Sequence, residues 1–354
     1  MSDTVRFAAA ALLAFTRDAL SACGLPYADA TIAAKQMIEA DLTGFDAHGI
    51  FRLSAYCGTL QSGRVNPKAN IKVVKRAPAT ALVDGDNGMG HLAMTFAANL
   101  AIEIARESGI GWVGTRRSNH AGAAGVYAEM AAAHHMVGIY AAVSTANHMA
   151  PWGGAEALLG TNPIAVAIPA GNEAPVILDI ATSVASFGTV RQHAVSGERM
   201  PDGWVVDSQT GQPINDAKRA GEGVLLPIGG YKGSGLALII GLLAGVLNNA
   251  AFGRDVVDFT QPGNAETNTG QFIAAIDVSR FVPFETFLAE IDRHVVDLRS
   301  SERLPGVNAI RIPGGDRRRR RADRSSKGVE LPSPLLKQLD ELAARLKLRP
   351  LASR

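Results

Sequence analysis

Apolar residues recur at helical spacing through the first sixty positions. Ile32, Ala33, Met37 and Ile38 fall on one stripe of a helix predicted over residues 30–42, with Asp29 placed to cap it. Residues 71–84 change to the alternation of a strand, with Ile71, Val73 and Val74 and then Ala81-Leu82-Val83-Asp84. A glycine-rich turn at 85–90 follows, and a helical run over 91–108 stops at Gly109. Beyond it, strand-like segments at 111–114, 137–143, 164–168 and 176–180 are interleaved with a helical stretch at 122–134. An α/β, mixed α+β core with a helical N-terminal region is expected. The apolar run 236–247 is too short to span a bilayer and holds Gly241 and Gly245, so it reads as a buried helix. Residues 335–346 predict an amphipathic C-terminal helix. The pattern divides the chain into a helical region at 1–60, a core at 61–315 and a basic connector with a final helix at 316–354.

Composition narrows the class. A 354-residue chain with 47% hydrophobic and 19% charged residues is globular, and a net charge of +2 gives no field for nucleic acid. The run Asp316-Arg317-Arg318-Arg319-Arg320-Arg321 has no interleaved aromatics and reads as a solvated connector or subunit surface. Cys23 and Cys57 are too few for a disulfide framework, which points to a reducing cytoplasm. The apolar stretch 7–15 lacks a clear cleavage pattern and reads as an amphipathic helix, not a leader. No membrane role is expected.

The candidate chemistry begins with Asp46-Ala47-His48-Gly49-Ile50-Phe51-Arg52. In a helix, His48 and Arg52 share one face, placing a proton-transferring imidazole beside a guanidinium that can clamp a carboxylate. Ser118-Asn119-His120 precedes a predicted helix, whose N-terminal dipole would lower the His120 pKa. Asp179 ends an apolar strand, where it needs a ribose or a structural arginine as partner. Two glycine-rich segments fail as nucleotide fingerprints. Gly85-Asp86-Asn87-Gly88-Met89-Gly90 has the wrong spacing for a dinucleotide turn, and in Gly229-Gly230-Tyr231-Lys232-Gly233-Ser234-Gly235 the lysine precedes the second glycine of a P-loop. The latter could still hold a phosphate at a helix start, or mark tight packing. The histidines show no metal spacing, and no metal is expected.

The segments 46–52, 118–120, Ala150-Pro151-Trp152-Gly153-Gly154, Gly160-Thr161-Asn162-Pro163, Asp179-Ile180-Ala181-Thr182-Ser183 and 229–233 resemble, in order, the malate/L-lactate dehydrogenase family with its non-Rossmann fold. The likeness runs to about Pro313. It implies a homodimeric oxidoreductase using NAD or NADP on a small carboxylate substrate. By resemblance, His48 and His120 are the catalytic proton carriers, and Arg52 and Thr161 bind the substrate. His120, Ser144, Asp179, Ile180, Ala181 and Lys232 match cofactor-binding positions. Three departures stand out: Ala47 where the family usually has serine, Thr189 where it often has lysine, and Gly315 in place of a glutamate. The leading expectation is hydride transfer between NAD(P) and a 2-hydroxy or 2-oxo acid. The alternatives are reduction of a cyclic imino acid and a degenerate, non-catalytic member.

Overall fold

The computed structural model describes residues 4–259, 263 and 265–353. A seven-stranded mixed sheet organises the core, in the order β2-β3-β4-β10-β5-β6-β7. The strands are β2 (Lys72–Ala77), β3 (Thr80–Asp84), β4 (Ile110–Ser118), β5 (Met136–Ala142), β6 (Ile164–Ile168), β7 (Val176–Ile180) and β10 (Thr269–Asp277). Only β3 and β4 run parallel. Every other neighbouring pair is antiparallel. This is the mixed α/β class expected, and it is not a doubly wound parallel sheet.

Helix α4 (Gly90–Ser108) makes the β3-to-β4 crossover and ends on Gly109 at φ 83°. It packs with α5 (Ala124–Ala132) on one face of the sheet around Met94, Ile104, Tyr127 and Ile273. A smaller hairpin, β8 (Val205–Asp207) with β9 (Gly223–Leu225), sits with α6 (Phe187–Ser196) over a separate apolar cluster. Helix α8 (Phe284–Ser300) follows β10.

The N-terminal region holds α1 (Ala9–Ala22), α2 (Tyr27–Thr43) and α3 (Leu53–Gln61). Helix α2 starts after Pro26, so Asp29 lies in its first turn and is not the cap. The two ends of the chain share one core: Leu12, Phe15, Met37 and Leu53 pack with Leu335, Leu339 and Leu342 of α10 (Ser333–Leu346). Strand β1 (Thr4–Phe7) pairs antiparallel with β11 (Val329–Pro332).

The arginine run is solvated at Arg318, Arg319, Arg320 and Arg321, all exposed, but Arg317 is buried. The run forms helix α9 (Gly315–Lys327), clasped to the body by ion pairs. Arg317 is buried and bonds Glu129 of α5 at 2.9 Å, with its Nη1 3.8 Å from Asp179. Arg321 pairs with Glu39 at 2.6 Å, and Arg324 bonds Asp46 at 3.1 Å. Acidic residues on α2 and α5 pull the basic helix onto the surface, an arrangement local sequence cannot display.

Nor is the run 236–247 buried throughout. It belongs to α7 (Tyr231–Ala244) and the short turn after it. Gly241 meets Phe252, where a Cβ would stand 2.0 Å from the ring, and Ala237, Ile240 and Ala244 face inward. The opposite side carries Leu236, Ile239, Leu242, Val246 and Leu247, all exposed, the last at 62%. The 18-residue stretch Tyr231–Asn248 has a mean hydropathy of 1.4 and is 44% buried within the protein.

Candidate active site

His48 and Arg52 do not lie on an α-helix. Two short 3-10 turns, Asp46–His48 and Ile50–Arg52, are separated by Gly49 at φ −92° and ψ −141°. The break arises from Asp41. Its buried carboxylate accepts the Ile50 N–H at 2.9 Å, and a Cβ on Gly49 would stand 1.8 Å from its Oδ1. Burial, the main cause, raises the Asp41 pKa well above the usual carboxylate range. The Arg52 Nε donates to the Ala47 carbonyl at 3.0 Å. Despite the break, both side chains line one cavity of about 630 Å³.

The same cavity receives His120, Ser144, Thr161, Asp179, Ile180 and Ala181. It does not receive Lys232. The positive φ angles of Gly229 and Gly230 turn the chain into α7, and Lys232 stands exposed on the first turn of that helix, outside the lining. The glycines of that loop serve packing: Gly230 lies under Trp152, and a Cβ on Gly233 would meet the Ile228 carbonyl at 2.3 Å.

The second glycine turn has a comparable use. A Cβ on Gly90 would stand 2.0 Å from the Asn119 carbonyl, so the turn lets 85–90 press against Ser118-Asn119-His120. The Asn119 amide donates to the Asn87 and Gly88 carbonyls, and its Oδ1 accepts from Thr267. A fully bonded buried network of this kind holds the following histidine in place.

His120 is the centre of a ring stack. Its ring lies 5.7 Å from His48 and 5.6 Å from Phe259, each at 10° between planes. Burial is the first cause lowering its pKa well below the ordinary value, followed by the charges of Arg52, His48 and His91. The direction agrees with the sequence expectation, and burial is its leading cause. The Tyr56 hydroxyl lies 2.6 Å from His120 Nδ1, and the Gly122 N–H donates to the same nitrogen at 3.3 Å. A nitrogen accepting these bonds cannot carry a proton in the neutral ring. The hydrogen then sits on Nε2, which makes His120 a donor through that atom.

His48 opens on the cavity and is otherwise enclosed by protein. Burial, then the Arg52 charge, lowers its pKa to about 4. His91 is buried edge-on to Tyr56, and among the described residues its ring nitrogens have no hydrogen-bond partner. Burial lowers its pKa to about 3, so it too is neutral.

Asp179 accepts the Gly125 N–H at 2.8 Å and faces Arg317, the structural arginine its position required. Burial dominates and moves its pKa up to about 6. The Ser144 and Thr161 hydroxyls are 2.9 Å apart. Asn162, fully buried, accepts the Ser144 N–H and donates to the Ala237 carbonyl, tying this wall to α7. A second cavity of about 310 Å³ shares Gly44, Phe45, Asp179 and Ile180 with the first and continues to Pro313 and Gly314. The two cavities therefore adjoin at these four residues. Among the described residues, no three His, Cys, Asp or Glu side chains group as a metal would need.

A profile of the malate/L-lactate dehydrogenase family matches residues 7–340. The chain belongs to this family. It is 40% identical to the L-sulfolactate dehydrogenase of Methanocaldococcus jannaschii, over 94% of each chain. It is 35% identical to the malate dehydrogenase of Pyrococcus abyssi, over 96% of this chain and 94% of that one. The solved Δ1-piperideine-2-carboxylate reductase of Pseudomonas syringae pvar. tomato superposes with a TM-score of 0.86 at 30% identity, covering 96% of this chain and all of that one.

Tyr56, His91 and Phe259 were not legible as site residues. Tyr56 lies four residues beyond Arg52, a spacing that could have drawn attention to it.

Proposed function

We propose that this NAD(P)-dependent oxidoreductase interconverts a small 2-hydroxy acid and its 2-oxo acid. The observation that carries the reading is the convergence of Arg52, His48 and His120 on one cavity that Asp179, Ile180 and Ala181 also line. When bound, the nicotinamide accepts or supplies the hydride. Arg52 clamps the substrate carboxylate through the guanidinium nitrogens that no described residue engages. Its Nε is already bonded to Ala47, which fixes the fork. His48 takes the hydroxyl proton during oxidation and returns it during reduction. His120, fixed by Tyr56 and Gly122, donates from Nε2 to the reacting oxygen or to the cofactor amide. Thr161 joins Arg52 at the substrate, and Ser144 and the 179–181 strip hold the cofactor. The exposed position of Lys232 suits a contact with its phosphates at the mouth, made by a flexible stem. An imino-acid substrate also presents a carboxylate to Arg52, but Ala47 offers no hydroxyl beside His48, which favours the hydroxy acid.

A second copy of the chain covers the exposed apolar side of α7, since monomers rarely leave such a patch in water. Cys23 and Cys57 are free and buried, which suits a reducing cytoplasm.

Titration with NADH and NADPH, followed by cofactor fluorescence, tests the reading directly. Saturable binding of at least one is expected. Binding of neither by folded protein would leave the non-catalytic reading in its place. The pH dependence offers a second check. Because the His48 pKa is lowered to about 4, the ring is a neutral base throughout the neutral range. For oxidation, kcat/KM should stay flat from about pH 8 to 5 with respect to this group and fall only as pH drops through about 4. For reduction, which needs the protonated ring, it should rise as pH falls. An acid limb for oxidation near pH 6.5 would remove His48 from the base role.

A further inference from the structure

Arg191 is a second guanidinium facing the cavity that holds Arg52. It stands on α6, and the segment 183–189 that leads into this ten-residue helix lines the same wall. The contact between wall and catalytic loop is close: a Cβ on Gly188 would stand 3.2 Å from the Ala47 Cβ. Arg191 lies over the Phe187 ring, 5.1 Å from its centroid, and Phe187 stacks on His148 at 3.8 Å. Arg191 lines the cavity from an exposed position on the helix. Burial is the main cause lowering the Arg52 pKa, and the charge of Arg191 adds to it, so the two cations sense one another.

The acids lining the cavity are Asp46 and Asp179, and each is already engaged, with Arg324 and Arg317 respectively. Among the described residues, no ion pair reaches Arg52 or Arg191. The N-terminus of α6 adds partial positive charge at the same wall. Two like charges held at one cavity, one of them largely enclosed, are costly unless the ligand supplies two negative charges. A monocarboxylate supplies one.

We propose that Arg191 binds a second acidic group, carboxylate or sulfonate, on the substrate chain, so that the enzyme prefers doubly negative 2-hydroxy acids to monocarboxylates. The assignment rests on the reading of Arg52 as the clamp for the 2-carboxylate. Arg191 then determines specificity and takes no part in proton or hydride transfer. It replaces solvent at the far end of the substrate with a charge-assisted fork.

The test compares malate, 3-sulfolactate and lactate, each as both enantiomers, with the wild-type chain, Arg191→Gln and Arg191→Lys. In wild type, malate or sulfolactate should exceed lactate in kcat/KM. Arg191→Gln should lower kcat/KM for the doubly negative acids about tenfold to a hundredfold, chiefly through KM. Lactate should change less than about threefold, and Arg191→Lys should recover part of the loss. The Kd values for NADH and NADPH should hold. Equal losses on all three acids would overturn the assignment. So would a weakening confined to cofactor, above all to NADPH, which would put Arg191 on a cofactor phosphate. If wild type turns over none of these acids, the parent reading fails and Arg191 falls with it. If wild type turns them over but Arg191→Gln keeps the selectivity, only the Arg191 assignment fails.

Discussion

Arg52→Ala should lower kcat/KM for the true substrate by about a hundredfold or more, with both a raised KM and a lowered kcat. Hydrogen bonds to charged groups contribute about 1.5–3 kcal/mol each, and a fork makes two. The guanidinium is partly buried, and among the described residues its one hydrogen bond, through Nε to Ala47, leaves the remaining nitrogens for ligand. Loss of the clamp also loosens substrate orientation relative to His48, so the chemical step suffers with binding. Arg52→Lys should recover only part of the loss, because a point charge cannot reproduce the planar fork. Steady-state kinetics on both variants checks this, with circular dichroism to show that they fold. Kinetics close to wild type would remove Arg52 from the site. Cofactor titration of Arg52→Ala should remain near wild type, which separates a substrate defect from a collapsed cavity.

Gly49→Ala should be the most damaging single methyl in the catalytic loop. The added Cβ would overlap the Asp41 carboxylate, at 1.8 Å from Oδ1 and 2.5 Å from Oδ2. Relief requires either Asp41 or the 46–52 segment to move. In the first case the Ile50 N–H and the buried Asp41 carboxyl lose their bond to each other, which costs about 1–3 kcal/mol. In the second, His48 and Arg52, one on each side of Gly49, leave their places together. Urea unfolding should show the lower midpoint, and kcat/KM at a temperature where the variant is folded should still be depressed. The φ of Gly49 is negative, so strain in the backbone angle is not the cause. A variant with unchanged midpoint and unchanged kinetics would show that the loop accommodates the methyl, and that the Asp41 contact does not hold it. Asp41→Asn keeps a carbonyl oxygen for Ile50 and relieves a burial that already favours the neutral acid, so it should be the milder change.

The same loop shows where local reading ended. The residues that matter were visible as a motif, yet the geometry assigned to them, one face of an α-helix, was wrong. Helical spacing cannot register a carboxylate that arrives from nine positions earlier and interrupts the turn. The histidine at 120 was found for its place before a helix, and its pKa falls in the expected direction. The dominant cause is burial within a stack of rings whose members come from distant parts of the chain. Lys232 illustrates the reverse case: a motif legible in sequence whose side chain the fold leaves outside the cavity.

By itself the sequence determined the mixed α/β class, the strands at 164–168 and 176–180 to the residue, and the helix that stops at Gly109. These depend on short-range periodicity and on glycine's tolerance of positive φ, and both are written locally. It also determined the family, because ordered motifs survive without any knowledge of contacts. Only the tertiary structure decided that the arginine run is a clasp, that β1 pairs with β11 some 320 residues away, that half of α7 is left apolar and open, and that Arg191 shares a cavity with Arg52. Ion pairs, long-range strand pairing and the enclosure of a charge depend on which distant surfaces meet. That is set by the packing of the whole chain, and no window along the sequence contains it.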